Sequence, residues 1–278
     1  MKTYQQLWQS LTPLYEAGEA QAIVRTVLDV KYGMTLTDII CGKVNELSAD
    51  EGIKLEEIIN RLQKGEPVQY ILGQADFAGK TFHVEPGVLI PRPETAELCL
   101  SIIEDNKAAK QILDICTGSG CIAITLGLNI ENSEVTGWDI SEDALCIARR
   151  NVKELNAKNV NIEYKDALAL PKDKEKWDVI VSNPPYICEK EKADMEKNVL
   201  EYEPSIALFV PDEDPLRFYR AIAKYAAKAL QPNGALYFEI NPIYEKETRE
   251  MLEGFGFKDI ETKEDSFGKK RMMRATKK

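Results

Sequence analysis

The sequence predicts an α/β fold, a parallel sheet covered on both faces, preceded by a small helical domain and joined to it by a β-hairpin linker. Three observations carry this expectation. From Gln111 onward, short apolar runs alternate with segments of helical length, the pattern of a parallel sheet whose crossovers bury both faces. Before Gly73, apolar residues recur at helical spacing. Between these regions, short alternating runs are separated by glycines, as in hairpins. The limits drawn are 1–73 for the helical domain, 74–92 for the linker and 93–278 for the α/β domain.

Each element has its own signal. In AGEAQAIVRTVLDVKYG, Ala20, Ile23, Val24, Val27 and Leu28 share a helical face, and Gly33 supplies the stop. TLTDIICG reads as a short helix capped by Thr35 or Thr37, and SADEGIKLEEIINRLQKG as a third helix ending at Gly65. Tyr4, Trp8 and Tyr15 are expected to fill the core of this region. EPVQYILG alternates at Val68, Tyr70 and Leu72, as do Phe82 and Val84, so the whole stretch reads as hairpin. Pro91 and Pro93 then precede a helix containing Glu97 to Ile103. QILDIC, EVTGWDI, NIEYKDA, WDVIVSN and GALYFEI read as strands. CIAITLGL, SEDALCIARRNVKEL and DPLRFYRAIAKYAAKAL read as helices between them. The tail alternates and turns at Ser266–Gly268, which predicts a closing antiparallel hairpin. Its KKRMMR run reads as a solvated edge strand guarded by charge.

Composition removes several function classes. The net charge of −10 argues against a sequence-independent grip on nucleic acid, which needs a basic surface. No apolar stretch approaches the roughly 18–20 residues of a membrane span, and the polar N-terminus lacks a secretory leader, so a cytoplasmic location is expected. Six scattered cysteines and the single His83 lack metal-ligand spacing. Free thiols and no metal are expected.

The first strand of the α/β region runs through Asp114 into Thr117, Gly118, Ser119 and Gly120 before a helix, where glycines let backbone approach a ligand. The next strand ends in Asp139, placed to accept ribose hydroxyls, and Asp166 follows the third, placed to receive an exocyclic adenine N–H. There is neither a G-x-x-x-x-G-K-S/T loop nor a G-x-G-x-x-G fingerprint, since Ile122 and Ala123 follow Gly120. A ligand with adenosine but no pyrophosphate fits, and S-adenosyl-L-methionine is such a ligand.

The run WDVIVSNPPYI explains what the methyl donor would serve. Pro184 and Pro185 end a buried strand abruptly, because proline cannot donate to the ladder and holds φ near −65°. The resulting corner presents the Asn183 amide, carbonyls without competing N–H groups, and the Tyr186 ring. A carboxamide nitrogen is a poor nucleophile. If Asn183 Oδ1 and the Pro184 carbonyl each accept one of its N–H groups, its lone pair is aimed at the methyl group and the developing positive charge is favoured. Tyr186 would pack on the planar acceptor and exclude water. An ordinary strand-ending turn explains this run poorly.

EPVQYILG, LIPRPET, LDICTGSGCIAI, SNPPYI, and EYEPSIAL before LRFYRAI together resemble the HemK/PrmC family of protein-(glutamine-N5) methyltransferases. The resemblance covers nearly the whole chain. It implies a seven-stranded, Rossmann-like class I methyltransferase domain and an N-terminal helical domain that contacts class-1 peptide chain release factors. The implied reaction moves a methyl group from S-adenosyl-L-methionine to N5 of the glutamine in their Gly-Gly-Gln motif, leaving S-adenosyl-L-homocysteine and supporting translation termination. Carried over, Cys116 to Gly120 cradle the methionine moiety, Asp139 the ribose, and Asp166 and Ala167 the adenine. Asn183 adjoins the cofactor, and Asn183, Pro184, Pro185 and Tyr186 hold the glutamine, with Asn183, Pro184 and Tyr186 in catalytic roles.

Three departures from the family pattern stand out. Cys116 replaces a usual glycine, so either φ is negative there or the turn is strained. Ala167 replaces a bulky aromatic, leaving one adenine face to other side chains. Asn241-Pro242 follows Glu239-Ile240 where the family has glycine.

Two rival readings compete with this one. An N6-adenine DNA methyltransferase would use the same corner for a planar amino group, but it should carry a basic groove and a target-recognition domain. Residues 1–75 instead hold seven Lys/Arg and ten Asp/Glu, which favours a protein substrate. A non-catalytic cofactor-binding scaffold would have no use for the intact Asn183–Tyr186 corner. A monomer is expected.

Overall fold

Hydroxyl, proline and glycine residues mark where the helices begin and end. The computed structural model describes residues 2–278. The chain divides into two units, Met1–Gln74 with Glu196–Tyr202, and Ala75–Met195 with Glu203–Lys278; Met1 itself lies outside the described residues.

The first unit is helical: α1 (Tyr4–Gln9), α2 (Ala17–Tyr32), α3 (Leu36–Ile40), α4 (Ala49–Leu62) and α5 (Val68–Leu72). Thr3, Thr35 and Ser48 cap α1, α3 and α4 with reciprocal capping boxes, so Thr35 rather than Thr37 is the cap of α3. Gly33 closes α2 in the left-handed region (φ 63°), and Gly65 does the same after α4 (φ 83°). The core is aliphatic, built on Leu7, Leu11, Val24, Leu28, Leu55 and Ile59. Tyr4, Trp8 and Tyr15 lie half-buried against its edge instead of filling it. A residue two χ angles deep with a polar tip keeps that tip near water; Tyr15 Oη, for example, donates to Leu62 O at 3.4 Å. The expected strand at Val68–Leu72 is a single helical turn. Pro67 sets its entry, Gly73 (φ 75°) its exit, and Tyr70, Ile71 and Leu72 are all buried, which no alternating strand allows. A segment remote in sequence belongs to this unit, and Tyr202 Oη donates to Lys64 O at 3.2 Å.

In the second unit the hairpin β1 (Gln74–Phe77) and β2 (Lys80–His83) turns through Ala78 and Gly79, both with positive φ, the left-handed pair of a tight hairpin. Then come α6 (Pro93–Asp105), β3 (Gln111–Ile115), α7 (Cys121–Asn129), β4 (Glu134–Asp139), α8 (Glu142–Glu154), β5 (Val160–Tyr164) and β6 (Trp177–Ser182). Next in the chain come β7 (Ile187–Cys188), α9 (Lys197–Tyr202), which belongs to the first unit, α10 (Ser205–Leu208) and β8 (Phe209–Val210), with β7 and β8 forming a small parallel pair. The chain continues through α11 (Arg217–Ala229), β9 (Leu230–Glu239), α12 (Glu245–Gly254), β10 (Phe257–Glu264) and β11 (Lys270–Lys277).

The sheet has seven strands in the order β10-β11-β9-β6-β3-β4-β5, with β11 antiparallel to both neighbours and the rest parallel. Successive residues feed opposite faces. Ile112, Val179, Val181 and Tyr237 pack with α6, α7 and α8, while Leu113, Ile180, Leu236 and Phe238 pack with α11 and α12. The cationic tail run is not on an edge. β11 lies between β9 and β10 with Met272 and Met273 buried, and the charge-rich β10 is the edge strand. Met272 packs into the core on one face of the sheet and Met273 into the core on the other.

One polar side chain joins three of these pieces. Asn151 on α8 accepts from His83 N–H through Oδ1 (2.7 Å) and donates through Nδ2 to His83 O (3.0 Å) and Ser119 O (2.9 Å). It thereby ties the hairpin to the glycine loop after β3. Asn151→Ala leaves buried backbone groups unpaired at about 1–3 kcal/mol each. Urea unfolding is expected to show a loss of about 2–4 kcal/mol without a change in m.

Candidate active site

Strands β3 and β6 are neighbours, yet the chain leaves them toward opposite edges of the sheet, so a crevice opens at their carboxyl ends. A cavity of about 250 Å³ lies there. Among its lining residues are Cys116, Thr117, Gly118, Ser119, Asp139, Asp166, Ala167, Asn183 and Pro185. Of the residues expected at the site, Gly120, Pro184 and Tyr186 do not line it.

The glycine loop is held from beneath by Asp114. Its Oδ2 accepts from the Thr117 hydroxyl (2.5 Å) and from Ala123 N–H (3.2 Å), while Oδ1 is buried with no partner. Asp114 therefore holds the loop rather than lining the cavity, and burial pushes its carboxyl up to about 7. Cys116 has φ 64°, so the loop is strained at this position by about 1–2 kcal/mol relative to glycine. Burial, with Asp139 and Asp114 nearby, also raises its thiol, which favours the neutral form over the thiolate. Gly120, at φ 80°, caps α7, and a Cβ there would press on Ala148 Cβ and Ile124 Cδ1 at 3.2 Å.

Asp139 at the end of β4 is oriented by two backbone amides, Gly118 N–H to Oδ2 and Ser141 N–H to Oδ1, both at 2.9 Å. Burial raises its carboxyl, and these amides oppose the shift. Each oxygen keeps lone-pair capacity for a further donor such as a diol. Asp166 accepts from Leu168 N–H at 2.7 Å, which fixes the turn after β5. Ala167 is small, and the apolar walls come from Ile140, Leu168, Ile206 and Phe218, three of which are exposed large aliphatics. Phe218 on α11 thus supplies the aromatic surface that Ala167 lacks. Carboxylates for hydroxyls, apolar walls for a flat ring and a left-handed amide-rich loop suit an adenosine ligand without phosphates.

The corner after β6 is fastened on several sides. Ser182 Oγ donates to Ile115 O at 2.5 Å, which locks β6 to β3 beside the crevice. Asn183 Nδ2 donates to Thr95 Oγ1 at 3.3 Å. Tyr186 lines a neighbouring cavity with Arg92, Glu239, Asn241 and Arg271, because its hydroxyl donates to Glu239 Oε1 at 3.0 Å. Burial raises both the Tyr186 phenol and the Glu239 carboxyl. Asn241, buried where the family pattern has glycine, donates through Nδ2 to Tyr186 O at 3.1 Å and so braces the corner. Arg92 pairs with the buried Glu203, whose Oε2 also accepts Ile90 N–H at 3.0 Å, closing LIPRPET onto EYEPSIAL.

Thr95, Glu239, Asn241 and the Arg92–Glu203 pair were not identified as site residues from the sequence. Arg92, Thr95 and Glu203 lie inside segments quoted for the resemblance and Glu239 and Asn241 do not, and no spacing rule joins residues 144 positions apart. All six cysteines are free thiols. Among the described residues no group of three or more His, Cys, Asp and Glu side chains is placed to hold a metal, and no helix is long and apolar enough to cross a membrane.

The buried Asp114 carries a pH signature. Its folded-state value lies above the ordinary carboxylate value of about 3.9, so the folded protein keeps this proton where the unfolded chain has lost it. Its contribution to stability is present at low pH and is lost as pH rises toward and past about 7. Relative to Asp114→Asn, the unmodified protein is expected to lose unfolding free energy between pH 5 and pH 8, measured by urea titration at each pH.

Residues 11–73 match the PrmC N-terminal domain and residues 90–202 the methyltransferase small domain. The chain is 49% identical over 270 residues to the release factor glutamine methyltransferase of Bacteroides thetaiotaomicron, covering 97% of each. It is 40% identical to that of Flavobacterium psychrophilum, covering 99% of this chain and 98% of the relative. Among solved structures, the T. thermophilus 16S rRNA N2 G1207 methyltransferase, in complex with AdoMet and guanosine, superposes with a TM-score of 0.53 at 21% identity, over 74% of this chain and 50% of that one. A methyltransferase from Pyrococcus furiosus gives 0.52 at 19% identity, over 70% of this chain and 88% of that one. These two likenesses show the class I methyltransferase fold alone. With the seven-stranded sheet, the helical N-terminal match and relatives aligned end to end, the chain belongs to the release factor glutamine methyltransferase family.

Proposed function

We propose that this methyltransferase transfers a methyl group from S-adenosyl-L-methionine to the side-chain amide nitrogen of the glutamine in the Gly-Gly-Gln motif of class-1 peptide chain release factors. One observation carries the reading. The Asn183 amide lines the same cavity as the Asp139 carboxylate and the glycine loop, so an acceptor amide held by Asn183 would lie beside the cofactor site. The cofactor, when bound, supplies an electrophilic methyl group on a sulfonium centre. Residues 116–120 would cradle its methionine part, Asp139 its ribose, and Asp166, Ala167, Leu168 and Phe218 the adenine.

Asn183 Oδ1 and the Pro184 carbonyl accept the two N–H groups of the glutamine, which fixes the plane of the amide and favours positive charge on its nitrogen. Tyr186 closes the acceptor side. The helical N-terminal domain, 1–73, serves release-factor recognition, and the linker, 74–92, joins it to the catalytic domain, 93–278. The acidic chain, net charge −10, fits a protein substrate better than duplex DNA and argues against direct nucleic-acid binding. The enzyme acts in the cytoplasm as a monomer.

Incubation with labelled cofactor is expected to label a release factor, but neither its Gly-Gly-Ala variant nor duplex DNA; label on DNA would overturn the substrate assignment. Asn183→Ala is expected to lower turnover by at least about 100-fold with cofactor affinity within about threefold, because the lost contact acts on the acceptor. Asp139→Ala is expected instead to weaken cofactor binding by about 10–100-fold, measured by calorimetry.

A further inference from the structure

We infer that Thr95 and Glu239 are positioning residues that decide which end of the Asn183 carboxamide is offered to the acceptor. The two ends of an asparagine amide are nearly equal in shape and opposite in hydrogen bonding. Packing alone therefore cannot choose between them. Only the orientation with Oδ1 free can receive an acceptor NH2 group; the reverse would set donors against donors.

A chain of hydrogen bonds makes the choice. Glu239, fully buried at the end of β9, only accepts as a carboxylate. Its Oε1 receives the Tyr186 hydroxyl at 3.0 Å and its Oε2 the Thr95 hydroxyl at 2.5 Å. Thr95, itself buried on the first turn of α6, has one hydroxyl proton, and Glu239 takes it. Thr95 Oγ1 can then only accept from Asn183. Nδ2 turns toward it at 3.3 Å, and Oδ1 is left without a partner among the described residues. Thr95 and Asn183 line the cofactor-side cavity, whereas Tyr186 and Glu239 line the neighbouring one, so the relay runs between the two. This inference rests on the acceptor chemistry proposed above.

Glu239→Gln tests the direction of the relay. The introduced carboxamide would still accept from Tyr186 but would donate to Thr95 Oγ1, freeing the threonine proton for Asn183 Oδ1 and reversing the amide. Thr95→Val removes the acceptor while keeping the shape, and Thr95→Ser restores it. Either of the first two variants, once its Tm shows it folded, is expected to lose about 10–100-fold in kcat with KM for the release factor and cofactor affinity within about threefold. Thr95→Ser is expected to stay within about threefold of the unmodified enzyme.

A second readout needs no turnover. In 15N-labelled protein without cofactor, one Asn183 Nδ2 proton is expected to exchange slowly with solvent, and this protection is expected to vanish in Glu239→Gln and Thr95→Val. Unprotected Asn183 protons in the unmodified protein, or unchanged exchange or turnover in a folded variant, would overturn the relay. Intact protection without any transfer to release factor would sink the acceptor assignment and leave the relay standing.

Discussion

The reversal of the chain between β3 and β6 is the constraint on which the rest of the structure depends. Two parallel neighbours whose continuations part company leave their carboxyl ends uncovered, and the fold then has to line that gap. The glycine loop lines one side, the Asn183 corner the other, and the Ser182 to Ile115 hydrogen bond keeps the two at fixed separation. Everything chemically distinctive about the domain follows from stiffening these two loops without filling the space between them.

The stiffening is done largely with buried polar groups. Asp114, Asp139, Glu203 and Glu239 sit in or near the cavity walls, and each accepts hydrogen bonds from backbone amides, hydroxyls or a guanidinium. A buried carboxylate is costly unless so satisfied, and its satisfaction in turn fixes the donors around it. Asp114 is the exception, with one oxygen unpaired and burial raising its carboxyl. The strained Cys116 stands two residues away, so the segment from the end of β3 into the glycine loop concentrates both departures from ideal packing.

Much of this was legible in the sequence, and the failures have physical reasons. The strand–helix order, the helix stop at Gly33, the tail hairpin and the strand end before Pro184 follow from local periodicity and from residues with unusual backbone demands, whereas the choice of Thr35 over Thr37 as the cap of α3 needed the structure. Val68–Leu72 misled because five residues are too few to separate a period of two from one helical turn, and the flanking Pro67 and Gly73 carried the better signal. KKRMMR misled because charge on a strand says nothing about its neighbours; β11 buries the methionines between its cations and lies inside the sheet. The Thr95–Glu239–Tyr186 contacts were out of reach, since hydrogen bonds between distant segments leave no local periodicity. Asn241 departs from the family pattern, but only the structure shows its side chain holding the Tyr186 carbonyl.

The placement of β11 ties the far end of the chain to the corner after β6. β10 reaches the sheet only through β11, which pairs with it on one side and with β9 on the other. Arg271 on β11 donates to the Tyr186 hydroxyl at 3.3 Å and pairs with Asp265, so the corner draws one of its braces from this strand. Removal of β11 would therefore release β10 and take away that brace, while the hydrogen bonds that hold the glycine loop, all made by residues before it, would stay in place.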